Sequence, residues 1–407
     1  MATKTFLTAK EAAAELGVKI PTLYAYVSRG LIRSEIGTAH SRAKRYRRTD
    51  IETLKARKAL QKEPSKTVAG ALHWGTPLLE SQITLITNGR LYYRGQDALK
   101  LSQTHTFEAV AALIWQIENP AACFAAPLPA ALAQIIQSTR PMFEQLTPVE
   151  LFQVILTLAS GQDLAAYDLH HEAIVQTGAR MLRLETAVVT NHDPATSIAN
   201  AIQTAWTPAK PEVAPLINAA LIACADHELN VSAFTARVVA SAETTPYQAV
   251  IAALAALQGR KHGGYTQRVA AFFRETGSPQ NSYVTIANRL KRGDRIPGFG
   301  HPLYPDGDPR AQVLLAQTTA VFPQSPACEM AQEMCQIVAE ATDLKPTIDF
   351  ALVTLALAAN LPPHAPLALF AIGRTAGWIG HIIEQYAQDQ LIRPRARYTG
   401  PTVADLT

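Results

Sequence analysis

Apolar residues return at helical spacing along most of this chain, and the candidate chemistry gathers in the breaks between the runs. Near the start, Thr8 with Glu11 three positions on reads as a capping box. Ala12, Ala13 and Leu16 supply one apolar face, and Gly17 stops that helix. Pro21 then opens a second short helix through Leu23, Tyr24 and Val27, ended by Gly30. Thr49-Asp50-Ile-Glu-Thr-Leu predicts a third. Residues 59–67, Ala-Leu-Gln-Lys-Glu-Pro-Ser-Lys-Thr, read as a polar linker. Beyond Tyr93 one helical pattern follows another, separated by proline-rich turns such as Ala126-Pro-Leu-Pro and Leu361-Pro-Pro. The pattern predicts an all-α protein behind a small helix–turn–helix module, with no internal repeat and no low-complexity tract.

Composition and charge refine this picture. With 407 residues, 48% of them hydrophobic, the chain has room for two or three domains and a substantial core. The net charge of +4 hides an asymmetry. Residues 1–66 hold fifteen Lys/Arg against six Asp/Glu, a balance of +9, and the remainder holds 22 against 27, a balance of −5. Only the front end is suited to a polyanion. Its basic tract Arg42-Ala-Lys-Arg-Tyr-Arg-Arg48 falls between the second and third predicted helices, so Arg42, Lys44, Arg45 and Arg47 are candidate phosphate contacts. The plainer alternative is a solvated basic face on an accessory domain.

Four cysteines without a Cys-x-x-Cys pair argue against a disulfide scaffold or zinc site and for free thiols in a reducing compartment. The greasiest region, Phe350–Ile372, is broken by Pro362, Pro363 and His364, short of an uninterrupted membrane span. Without a visible secretory signal, the expectation is a soluble, cytoplasmic protein.

Three segments carry the candidate chemistry. Arg295-Ile-Pro-Gly-Phe-Gly-His301, continuing Pro-Leu-Tyr-Pro-Asp-Gly-Asp-Pro-Arg310, puts a histidine on a glycine-paved loop and an arginine fork nine residues later. Gly259-Arg-Lys-His262-Gly-Gly264 gives a second histidine. Lys345-Pro-Thr-Ile-Asp349 sets one acid at the head of a long apolar stretch. Two histidines and a carboxylate suit removal of a proton next to a carbonyl, with donors for the oxyanion that forms. Taken singly, each has a duller explanation: a satisfied structural histidine, a helix cap at Asp349, a salt bridge at Arg374. His170-His171 belongs with the structural histidines.

With these motifs the chain resembles the citrate synthase family. Ser81–Thr87 with Gly89–Gly95 resembles its opening hairpin, and Phe107-Glu-Ala-Val-Ala-Ala-Leu-Ile its next helix. Asp226-His227-Glu-Leu-Asn230, Ile372-Gly-Arg374-Thr-Ala-Gly-Trp-Ile-Gly-His381 and Arg393-Pro-Arg-Ala-Arg-Tyr-Thr-Gly400 follow in family order, so the likeness runs from about Val68 to the end. It implies a large domain over 68–262 and 360–407, a small domain over 263–359, and a homodimer. The implied reaction condenses acetyl-CoA with oxaloacetate at the entry to the tricarboxylic acid cycle, without a metal or other cofactor.

In that resemblance Asp349 is the base, His262 the donor to the thioester oxygen, and His301 the acid at the ketone. His227, Arg310, Arg374 and Arg393 bind oxaloacetate, the last from across the dimer. Two further readings stay open: a 2-methylcitrate synthase using propionyl-CoA, and a metabolite-sensing regulator without turnover. Three departures stand out: Tyr265-Thr266 where the family usually has Ala-Asn, no basic residue in Pro302–Gly307, and Cys224 in place of a histidine. Residues 1–58 resemble the winged helix-turn-helix modules of MerR-type regulators and excisionases, which implies duplex DNA as a partner.

Overall fold

The computed structural model describes residues 6–28, 32–36, 44–48, 50–51, 54, 79–191, 193–194, 197–396 and 398–400. It groups into two units, Met1–Glu80 with Pro394–Thr407, and Ser81–Arg393. In the first unit, β1 (Phe6–Thr8) leads directly into α1 (Ala9–Glu15). Thr8 Oγ1 accepts the Glu11 N–H at 3.3 Å while Glu11 Oε2 accepts the Thr8 N–H at 2.8 Å, which satisfies two orphan donors of the helix start. The second helix, α2 (Ile20–Ser28), begins one residue before Pro21, because the Lys19 carbonyl already accepts from the Thr22 and Leu23 N–H groups. The strands β2 (Ser34–Ile36) and β3 (Lys44–Arg47) pair antiparallel, and β3 also pairs with β1, giving the sheet order β1-β3-β2.

Of the predicted third helix, Asp50, Ile51 and Leu54 are helical. Ile51 and Leu54 join Leu7, Ala12, Ala13, Leu16, Leu23, Ile32 and Tyr46 in a separate small core. Asp50 accepts from the Arg33 backbone and guanidinium, which holds its carboxyl below the usual range. Gly30, Thr49, the 59–67 linker and Arg42 lie outside the described residues.

The second unit opens with an antiparallel sheet, β4 (Thr84–Thr87), β5 (Arg90–Tyr93) and β6 (Gln96–Asp97). Helices then follow almost without interruption: α3 (Ala98–Thr104), α4 (Phe107–Trp115), α5 (Pro120–Ala125), α6 (Ala130–Thr139), α7 (Pro148–Ser160) and α8 (His171–Thr190). Next come α9 (Ile198–Trp206), α10 (Val213–Cys224), α11 (Val231–Ala240), α12 (Pro246–Leu257), α13 (Tyr265–Thr276) and α14 (Ser282–Arg292). The series ends with α15 (Pro309–Val321), α16 (Pro326–Thr342), α17 (Ile348–Ala359) and α18 (Ala365–Gln388).

Most of these bury apolar faces in one large core, within which α18 packs against α8, α10, α11 and α12. Helix α18 is long and apolar enough to cross a bilayer, yet its most apolar window is wholly buried inside the unit. Pro362 and Pro363 sit in the break that separates it from α17. A second core draws only on residues between Val269 and Val353, from α13, α14, α16, α17 and the Ile296–Phe299 loop. All four cysteines are free, with Cys123, Cys224 and Cys328 buried.

Candidate active site

Two walls of the second unit converge on one cleft. The first is built on α10, α11 and α18. Asp226, immediately past α10, is fully buried between Thr84, whose hydroxyl donates to Oδ2 at 2.5 Å, and His381 at 3.2 Å from Oδ1. The Tyr93 hydroxyl bridges the carbonyls of Ile222 and Asp226. This buried frame fixes the next residue, His227, whose Nε2 lies 3.0 Å from the Tyr304 hydroxyl.

Arg374 comes from the middle of α18, is 1% exposed, and packs its guanidinium 4.9 Å above the Phe370 ring. Its Nε donates to the Cys224 carbonyl at 2.7 Å, which leaves the Nη edge for a ligand. Cys224 thus reaches this wall through its backbone. Burial, against the field of Arg374 and Arg310, pushes its thiol up to about 12.

His262 sits in the turn between α12 and α13. The Oγ of Ser232 is 2.8 Å from its Nε2, and Ser232 is itself anchored by the Trp378 indole N–H at 3.1 Å and by Asn230 Oδ1 at 2.7 Å. The turn is tight: a Cβ at Gly264 would lie 2.5 Å from the Gln258 carbonyl oxygen, so only glycine fits without a backbone shift. Burial, reinforced by Arg374, drops the His262 pKa to about 3, so the ring is neutral near pH 7.

The second wall is the loop before α15 together with the head of α17. Gly298 takes φ +87°, in the region that disfavours side chains, and its carbonyl accepts from both the N–H and the hydroxyl of Thr347. The Gly300 N–H donates to the Lys345 carbonyl at 2.9 Å. These bonds hold the His301 loop beside the start of α17, where Thr347 is the N-cap and Asp349 lies in the first turn. Asp349 is therefore not the helix cap.

His301 Nδ1 accepts the Leu303 N–H at 3.2 Å, which puts the proton of the neutral ring on Nε2. Burial and Arg310 lower its pKa to about 4. The His301 and His227 rings meet edge to face at 5.2 Å. Asp308 caps α15 and accepts Arg310 Nε at 2.9 Å and Nη2 at 2.8 Å, so Arg310 presents its other edge, through Nη1, away from Asp308. Burial opposes ionisation of Asp308, but Arg310 outweighs it and holds the carboxyl below its usual range.

Asp349 is the odd member of this group. Its Oδ1 is buried without a hydrogen-bond partner among the described residues. Burial raises its pKa to about 7, with Arg310 pulling the other way. A carboxylate balanced at that value can take a proton and give it back near neutral pH. The same cluster holds two neutral histidines, and Arg310 and Arg374 each keep a guanidinium edge free of the acid or carbonyl that anchors them. The cleft is thus suited to holding a dianion and abstracting a weakly acidic proton.

Of the residues singled out from sequence, His227, His262, His301, Arg310, Asp349 and Arg374 belong to this cluster. Arg393 does not join it within the chain: it is exposed, in the extended segment after α18. His170 is exposed and caps α8, and His171 bonds the Trp115 carbonyl, so neither contributes. Sequence reading passed over Ser232, and it met Tyr265, Tyr304 and Asp308 without giving them a role in the site. On the first unit, Lys44 and Arg45 of β3 are exposed and Arg47 is half-buried, on either side of buried Tyr46.

Fold and cleft together define a helical protein built to bind a small dicarboxylate beside a carboxylate base. The chain belongs to the citrate synthase family: residues 70–395 match the citrate synthase C-terminal domain, and residues 7–69 match the MerR HTH family of regulatory proteins. It is 30% identical over 352 residues to citrate synthase 2 of Bacillus subtilis, covering 80% of this chain and 95% of that protein. It is 28% identical over 343 residues to 2-methylcitrate synthase 2 of Corynebacterium glutamicum, covering 76% and 88%. The fold is shared with citrate synthase of Thermoplasma acidophilum, solved with carboxymethyl coenzyme A and oxaloacetate, at a TM-score of 0.72 and 22% identity over 82% of this chain and 96% of that one.

Proposed function

We propose that this chain condenses acetyl-CoA with oxaloacetate and hydrolyses the resulting thioester, giving citrate and CoA. The observation that carries this reading is the buried Asp349 Oδ1, without a hydrogen-bond partner among the described residues, in a cluster that also holds His262, His301, Arg310 and Arg374. Burial raises the Asp349 pKa to about 7 and lowers those of the two histidines to about 3 and 4. Three titratable groups driven apart in this way define a base and two neutral hydrogen-bonding partners.

In this reading ionised Asp349 removes a proton from the acetyl methyl group, and His262 hydrogen-bonds the thioester oxygen as negative charge develops there. The enolate carbon attacks the ketone carbon of oxaloacetate, and His301 Nε2 gives its proton to the new alkoxide. Arg310, Arg374 and His227 hold the two carboxylates. Water then cleaves the thioester and releases CoA. Arg393, exposed beyond α18, completes the site of a second copy in a homodimer. The first unit binds duplex DNA, its basic strand β3 supplying phosphate contacts from Lys44, Arg45 and Arg47.

The test is product analysis. Incubated with oxaloacetate and acetyl-CoA, the protein yields citrate and free CoA in equal amounts, and in parallel turns over propionyl-CoA more slowly. Protein that binds oxaloacetate yet forms no carbon–carbon bond with either thioester would be a metabolite sensor instead. Preference for propionyl-CoA would make it a 2-methylcitrate synthase.

A further inference from the structure

Gly298 is the joint of the cleft. Its carbonyl is held by Thr347, which caps the helix carrying Asp349. Its N–H donates to the Tyr265 hydroxyl at 3.3 Å. Tyr265 is the first residue of α13, three positions after His262 and directly behind the Gly263-Gly264 turn. One residue is therefore clamped on both sides, by the helix of the carboxylate and by the helix that follows the His262 turn. His301 lies three residues further along the clamped loop.

The ring of Tyr265 packs against the second core, so its hydroxyl is delivered by a braced side chain rather than a mobile one. Burial raises the pKa of the phenol, and the nearby Asp349 carboxyl adds to the effect, so the hydroxyl is neutral and close to the cleft.

We infer that Tyr265 is a positioning residue for the condensation: its hydroxyl fixes the Gly298 loop, and with it His301, in register with His262 and Asp349. The inference rests on the catalytic reading above for its consequence, though not for its geometry. Without the hydroxyl, the Gly298 N–H loses this partner, and the Gly298 end of the His301 loop keeps only its bonds to Thr347 and Lys345. The ring packing survives in Tyr265→Phe, so folding is preserved while the brace is removed.

The experiment pairs two measurements on full-length protein, wild type against Tyr265→Phe. Backbone hydrogen exchange without substrates reads the brace; thiol release from acetyl-CoA with oxaloacetate reads the consequence. Exchange across 296–301 is expected to become about tenfold faster, and kcat to fall about fivefold to tenfold with the oxaloacetate KM unchanged, as suits loss of one hydrogen bond. Tyr265→Trp, which fills space without restoring the acceptor, should not rescue kcat. Unchanged exchange overturns the brace, whatever the activity does. Faster exchange with unchanged kcat overturns the positioning role. A wild type without thiol release would refute the catalytic reading alone, and the exchange comparison would still decide the brace.

Discussion

The two units of this chain use charge in opposite ways. In the first, the basic side chains Lys44 and Arg45 project from a strand whose one buried residue, Tyr46, is one of nine buried core residues among those described. There the charges cost little to maintain and act at long range through their sum. In the second, Arg310 and Arg374 are 2% and 1% exposed, and Asp226, Asp308 and Asp349 lie around them in an almost continuous apolar core. Buried charges are expensive unless paired, and of these five Asp349 alone leaves a buried side-chain oxygen without a partner among the described residues. A surface charge is informative as a member of a patch, a buried one as an individual.

That contrast can be broken or sharpened by substitution. The largest effect is expected at Asp349. Replacement by Ala should lower kcat by on the order of 10³ or more in the thiol-release assay, with oxaloacetate binding retained, because the base is lost and the arginines are not. Next is Arg374→Leu, which removes a buried cation and its free Nη edge. The expected loss is about 10²-fold in kcat/KM for oxaloacetate.

Smaller again is Ser232→Ala, which removes the anchor of His262 Nε2. It should reduce kcat about tenfold, with less change in KM than at Arg374. In the first unit, Lys44, Arg45 and Arg47 replaced together by Ala should leave thiol release unchanged. The triple variant should weaken duplex DNA binding and flatten its log–log salt dependence by about three. Loss of activity in that variant would mean that the separation of roles is wrong.

The smallest expected effect is on stability. His227, His262 and His301 have folded-state pKa values below the unfolded value, so their contribution is present above about pH 6.5 and is lost on acidification. Asp349 opposes this: its raised pKa makes the folded state bind the extra proton between about pH 4 and about 7, so its share of stability falls as pH rises through that window. The melting temperature should therefore drop more steeply on acidification in Asp349→Asn than in the wild type.

Much of the site was legible in the chain because His262, His301, Arg310 and Arg374 stand beside glycine or proline and Asp349 lies alone in an apolar run. His262, His301 and Asp349 could be paired by chemistry before their contacts were known. Their supports were not legible for reasons of distance and of helix phase. Ser232 is thirty residues from the histidine it anchors, and nothing in its own neighbourhood marks it. Asp308 lay inside the motif, but its double role as cap of α15 and clamp on Arg310 depends on the helix starting at Pro309. Tyr265 could be seen as a departure from the family, and only its bond to Gly298 gives it a task. In the first unit the start of α2 differs from expectation by one residue, because the Lys19 carbonyl nucleates it ahead of the proline.

The most direct test of the account is the pH dependence of kcat for thiol release from acetyl-CoA with saturating oxaloacetate, followed from about pH 5.5 to about 8.5. With Asp349 as the base, the rate should climb with pH through about 7 and level off as the carboxyl ionises, and this limb should vanish in the Asp349→Ala variant. A rate that is flat across the range, or a limb that persists without Asp349, would contradict it.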